Sequence, residues 1–92
     1  VTYTLVLTRN FERRLDRYRS SHPELRGRLA RVFRDLESNP FQAHLRLNPL
    51  HGELAGLHVV SVTYRYRLTL TLRVEHRRVV LLDIGTHDDG YR

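Results

Sequence analysis

Two rhythms of apolar and polar residues divide the chain. From Val1 to Leu7 the apolar residues Val1, Tyr3, Leu5 and Leu7 fall at alternate positions, which predicts a strand with one buried face. Helical spacing follows. Phe11, Leu15 and Tyr18 recur at i, i+4 and i+7, predicting a helix over about Arg9–Arg19 with Thr8 or Asn10 as its N-cap. Ser21-His22-Pro23-Glu24 has the form of a capping box, with Ser at the cap and Glu three residues on, and predicts the start of a second helix. Its apolar stripe is Leu25, Leu29, Val32, Phe33 and Leu36. Asn39-Pro40 ends it, because the residue before a proline avoids helical angles.

The second half alternates with period two. Every even position from Val60 to Val74 is apolar, and the odd positions between them are Ser, Thr or Arg. One straight strand of that length would run ~50 Å, whereas a chain of this size has a diameter of only ~30 Å. The segment must therefore fold back, near Thr63–Arg65. Unbroken parity across the turn requires an odd-length loop or a bulge, and it places Arg65 and Arg67 at a strand turn. Leu45–Leu47 reads as a short strand, NPLHGELAG as a loop, Glu75–Arg78 as a turn and Val79–Ile84 as the last strand. Strand, helix, helix and then a strand meander predict an α+β fold, with the helices packed on one face of a mostly antiparallel sheet. The 92 residues form one domain, 1–92, around a single core.

Charge narrows the function. All 16 basic residues are arginine, against 10 acidic ones, leaving +6 before the 6 histidines are counted. Nine of these arginines lie in the two predicted helices, where Glu12, Asp16 and Asp35 offset some of them. A guanidinium excess suits an anionic partner, either nucleic acid or an acidic protein segment. The absence of cysteine excludes disulfides and thiolate metal sites, and no H-x-x-x-H spacing occurs. No stretch approaches the ~18–20 apolar residues of a membrane span, so a cytoplasmic protein without membrane contact is expected.

The stretch LNPLHGELAGLHVVSVTYRYRLTL, followed by VVLLDIGTHDDGYR, resembles the RelE/ParE superfamily of toxins from type II toxin–antitoxin systems, closest to the YafQ-, YoeB- and RelE-like mRNA interferase branches. The combination P-L-x-G-x-L-x-G, Y-R-L and I-G-T-H-D carries the likeness, from Asn48 to Tyr91. It implies a compact sheet with two helices on one side and a concave basic groove on the other. It also implies an endoribonuclease that cleaves mRNA on the ribosome, without metal or other cofactor, by attack of a ribose 2′-hydroxyl on the adjacent phosphate. The partners implied are a cognate antitoxin and ribosome-bound mRNA, with operator DNA reached only through the antitoxin complex.

The same resemblance assigns roles. Arg67 matches the arginine that holds the scissile phosphate, and a guanidinium can give that phosphate two parallel hydrogen bonds. His87 matches the general acid, a task suited to imidazole with its unperturbed pKa of ~6.5, and Asp88 or Asp89 stands beside it to orient it or to meet the antitoxin. Asn48 occupies the position of the family's Glu or His base and cannot accept a proton at neutral pH, although it can position a hydroxyl. Two further YafQ-type acid/base positions fall at Ser61 and Arg65. His51 and His58 are the nearby substitutes, and His58 falls where RelE has a lysine. Arg46 and Arg65 are candidate phosphate contacts, His51 a further RNA contact and Tyr91 a base-stacking residue. Gly52, Gly56 and Gly85 read as turn residues. Loss of the base position leaves two other readings open: a ParE-like DNA gyrase inhibitor, and a catalytically decayed toxin that retains antitoxin binding.

Overall fold

The computed structural model describes residues 2–86. Five strands, β1 (Thr4–Leu7), β2 (Asn48–Pro49), β3 (His58–Ser61), β4 (Tyr66–Arg73) and β5 (Arg78–Thr86), form one sheet in the order β1-β5-β4-β3-β2. Only the β1–β5 pair is parallel, with Thr4 opposite Arg78 and Leu7 opposite Leu81; the other pairs are antiparallel. Helices α1 (Arg9–Ser21) and α2 (Arg26–Ser38) cover one face, and Phe11, Leu15, Leu29, Val32 and Leu36 meet Val60, Leu68, Leu70, Leu81 and Ile84 in the core. The α+β expectation is realised.

Thr8 caps α1, its hydroxyl accepting from Phe11 N at 3.2 Å and donating to Leu81 O at 2.9 Å. Asn10 does not cap. Its amide instead donates to Leu82 O at 2.9 Å, while Arg14 Nε donates to Ile84 O at 3.0 Å and lies 2.6 Å from Asp83 Oδ1. These three side chains cover the outer edge of β5 beyond the point where β1 ends, satisfying carbonyls that an edge strand would leave to water. The capping box at Ser21 does not form. The last turn of α1 runs through Ser21, and a 3-10 turn over Pro23–Leu25 leads into α2 with no side-chain cap. The Glu24 carboxyl is held below its ordinary pKa of 4.5 first by its own backbone N–H, then by the hydrogen bond and charge of His22.

The long alternating segment folds back where its length required. The longest dimension of the molecule is 36 Å, too short for the segment as one strand, and β3 turns into β4 over Val62–Arg65. Ser61 faces Arg67 across the strands, and Val62 N donates to Tyr66 O at 2.9 Å, so Thr63, Tyr64 and Arg65 form an odd, three-residue loop. A bulge at Leu82 also shifts the β4–β5 register between Thr69 and Leu70. Leu45–Leu47 is not a strand. A 3-10 turn over Ala43–Leu45 ends at Arg46, whose φ of 55° is left-handed and breaks extension. Leu45 is buried in the core and Leu47 packs against it.

Candidate functional site

Strand parity builds the site. Leu68 is fully buried against the helices, so its neighbour Arg67 points to the opposite, open face of the sheet. Ser61 lies across from it on β3 and Gly85 across from it on β5. Gly85 contributes no side chain on that flank. Val59, two residues before Ser61, is 4% exposed yet stands apart from the helix-side core, forming the apolar floor of the same face.

Strand β2 is only two residues long, pairing Asn48 with Val59 and Pro49 with His58. The outer edge of β3 beyond Val59 is therefore left without a strand partner. A cleft of about 390 Å³ opens there, lined by Arg46, Leu47, Asn48, Val59, Ser61 and Arg67. A second cleft of about 430 Å³ shares Arg46, Ser61 and Arg67 with it and continues past Arg28, His44 and Tyr64. Together they make one trough around the β3–β4 end of the sheet.

The trough is electropositive. Arg28, Arg46 and Arg67 line it, and no acidic side chain does among the described residues. His44, which lines the second cleft, is held by Asp35, whose carboxylate accepts a 2.8 Å hydrogen bond from His44 Nε2. Neither the Arg46 nor the Arg67 guanidinium has a hydrogen-bond or ion-pair partner among the described residues. Guanidinium groups that share a concave surface repel one another, and the arrangement becomes favourable when an anion enters with oxygens for their donors. Arg46 adds a second cost, since a non-glycine residue in the left-handed region is strained by ~1–2 kcal/mol.

The structure thus brings Arg46, Asn48, Ser61 and Arg67 together. Arg65 stands exposed at the turn beside them, its N–H donating to Thr63 Oγ1 at 3.2 Å. His51 is exposed in the β2–β3 loop, preceding the 3-10 turn at Gly52, and lines neither cleft. His58 does not join Arg67. It pairs with Leu70, a core residue, so parity turns it to the helix side, where its Nδ1 is buried with no partner among the described residues. His87, Asp88, Asp89 and Tyr91 lie outside the described residues. Sequence reasoning missed Arg28, His44 and Tyr64. The first two reach the trough from α2 and the segment after it, which no local pattern reveals.

No family model and no curated protein matches the chain by sequence. Solved structures do match by fold. A chain of the RelBE2 toxin–antitoxin complex from Mycobacterium tuberculosis superposes with a TM-score of 0.76 at 29% identity, covering 94% of this chain and 99% of that one. The E. coli DinJ–YafQ toxin–antitoxin complex gives 0.79 at 17% identity over the whole of both chains. The YoeB/ParE toxin from Agrobacterium tumefaciens gives 0.77 at 18%, covering 91% of this chain and 98% of that one. Over nearly all its length the chain thus has the fold of toxins of the RelE, YafQ and YoeB/ParE kind, in agreement with the resemblance of its sequence, and its Y-R-L arginine stands on the open face of that sheet.

Proposed function

We propose that this chain is the toxin of a type II toxin–antitoxin module and an endoribonuclease acting on mRNA at the ribosome, in the cytoplasm. The observation that carries the reading is the pair of guanidiniums, Arg46 and Arg67, without partners among the described residues and in one cleft with Asn48. In the reaction the ribose O2′ attacks the adjacent phosphorus, the P–O5′ bond breaks, and a 2′,3′-cyclic phosphate and a 5′-hydroxyl result. Arg67 holds the phosphate oxygens as charge builds on them, the contribution that most often dominates such catalysis. Asn48 positions the attacking hydroxyl by hydrogen bonding, and Arg46 holds a flanking phosphate. His87 gives its proton to the departing 5′-oxygen. The 2′-proton passes to solvent: among the described residues the cleft sets Asn48 and Ser61 beside Arg67, and neither accepts a proton at neutral pH. An acidic antitoxin segment laid over the trough would silence the enzyme by occupying the same cations.

The test is incubation of purified protein with programmed ribosomes, mapping the mRNA cuts beside Arg67→Ala and His87→Ala. Codon-phased cuts lost in both variants support the reading. Folded protein that cuts nothing overturns it. A gyrase supercoiling assay and antitoxin binding then separate the two non-nuclease readings, which the missing base favours.

A further inference from the structure

At the tip of the β3–β4 loop, Tyr64 has a relative exposure of 103%, the highest of the large apolar side chains among the described residues. Nothing in the fold accounts for it. Its ring buries no surface, and such a loop position is ordinarily filled by Gly, Asn, Asp or Ser. The even-position pattern assigns Tyr64 to the core face with Val62 and Tyr66, but the three-residue loop carries it past the end of the sheet.

The loop that holds it is ordered by its own hydrogen bonds. Thr63 Oγ1 accepts from both Arg65 N and Tyr66 N at 3.2 Å, and Val62 N and Thr63 N both donate to Tyr66 O, at 2.9 and 3.3 Å. Positive φ among non-glycine residues occurs at Arg46 and Arg77 and not in this loop, which explains why the turn needs neither Gly nor Asn. A tyrosine presented on a pre-ordered turn loses little conformational entropy when something stacks on it.

Its surroundings select the ligand. Tyr64 lines the trough with Arg28, Arg46 and Arg67, and Arg65 follows it on the loop. The one aliphatic residue lining that cleft is Val62, itself 3% exposed. Beside Tyr64 a peptide's apolar side chain would find one ring among polar and charged neighbours, since Leu47 and Val59 line the other cleft. A nucleobase needs only one aromatic face, and the phosphates on either side of it suit the arginines. We infer that Tyr64 is a stacking platform for a base of single-stranded RNA that continues from the Arg67 cleft along the trough, with Arg28 and Arg65 on its backbone. The inference rests on the proposed nucleic-acid function of that cleft.

The experiment measures binding apart from cleavage. A fluorescein-labelled, 2′-O-methylated single strand, which cannot be cut, is titrated with wild-type protein at low salt and followed by anisotropy. A strand of the same length made entirely of abasic units serves as the comparison. Tyr64→Ala should weaken binding of the base-containing strand by at least ~5-fold, as loss of one stacked base does. Tyr64→Phe should restore it, and affinity for the abasic strand should be the same for wild type and Tyr64→Ala. Equal affinity of wild type and Tyr64→Ala for the base-containing strand overturns the inference, as does an equal loss on the abasic strand. Wild-type protein that binds no strand also overturns it and points to a protein segment as occupant. Because the ring is fully exposed, thermal melts of the variants should match wild type. Ribosomal cutting is scored separately: binding through Tyr64 without cutting keeps this inference and sinks the nuclease, while cutting without a Tyr64 effect does the reverse.

Discussion

Replacing Thr8 with valine should destabilise the domain by ~2 kcal/mol, and the figure follows from two hydrogen bonds of one hydroxyl. That oxygen accepts from Phe11 N at 3.2 Å, and loss of an N-cap acceptor costs ~1 kcal/mol. The same hydroxyl donates to Leu81 O at 2.9 Å in a part-buried setting, and an intramolecular hydrogen bond contributes another ~1 kcal/mol. Valine has nearly the shape of threonine, and the cap backbone is extended, with φ −71° and ψ 160°, so no new strain enters. In a domain of this size each kcal/mol moves the melting temperature by ~4–8 °C, so the variant should melt ~8–16 °C lower. Thr8→Ser keeps both bonds and should stay within ~0.5 kcal/mol of wild type. Urea titrations of the three proteins decide the matter. A Thr8→Val loss below ~0.5 kcal/mol would refute the claim that the polar side of α1 pins the outer edge of β5.

Two other substitutions test what the backbone and the core carry. Arg77 has φ 51° at the turn before β5. Arg77→Gly removes ~1–2 kcal/mol of left-handed strain against ~0.5–1 of glycine entropy, so a net gain of ~0.5–1 kcal/mol should appear as a raised urea midpoint. Arg46→Gly should gain similarly but lose RNA affinity; unchanged affinity would mean that its charge is idle. His58→Leu removes a buried nitrogen without a partner, whose desolvation costs ~1–3 kcal/mol, so the urea midpoint should rise while mRNA cutting persists. Loss of cutting by stable His58→Leu protein would return His58 to the reaction.

Most of the frame was legible because a few residues constrain it strongly. The stretch from Val60 to Val74 was too long for one strand, and its unbroken parity asked for an odd-length loop or a bulge; the structure has the loop, of three residues. Phe11, Leu15, Leu29 and Leu36 announced their helices by spacing and are buried as expected. Features set by contacts across the chain were not legible. Ser21 could be read as a cap only until α1 was seen to run through it, and Leu45–Leu47 is not extended because a 3-10 turn over Ala43–Leu45 runs into the left-handed Arg46, while both leucines still reach the core. Of the site, parity put Arg67 on the open face, and the fold set Arg46 and Asn48 beside it. His58 was adjacent in sequence to the right residues and on the wrong face, because one step along a strand reverses a side chain. Tyr64 was hidden by the alternation it belongs to, and Arg28 and His44 by their distance along the chain.

The central claim is that Arg67 stabilises a phosphate undergoing 2′-hydroxyl attack. The most direct measurement is the single-turnover rate of mRNA cutting on programmed ribosomes for wild type, Arg67→Ala and Arg78→Ala, with the 3′ ends of the products analysed. Arg78 is an exposed arginine at the far end of β4 and β5, opposite Arg73, so it controls for net charge. The account predicts 2′,3′-cyclic phosphate ends, a fall of ~100-fold or more for Arg67→Ala as for other lost transition-state donors, and near wild-type rates for Arg78→Ala. Equal rates for wild type and Arg67→Ala, or ends bearing a 3′-hydroxyl, would contradict it.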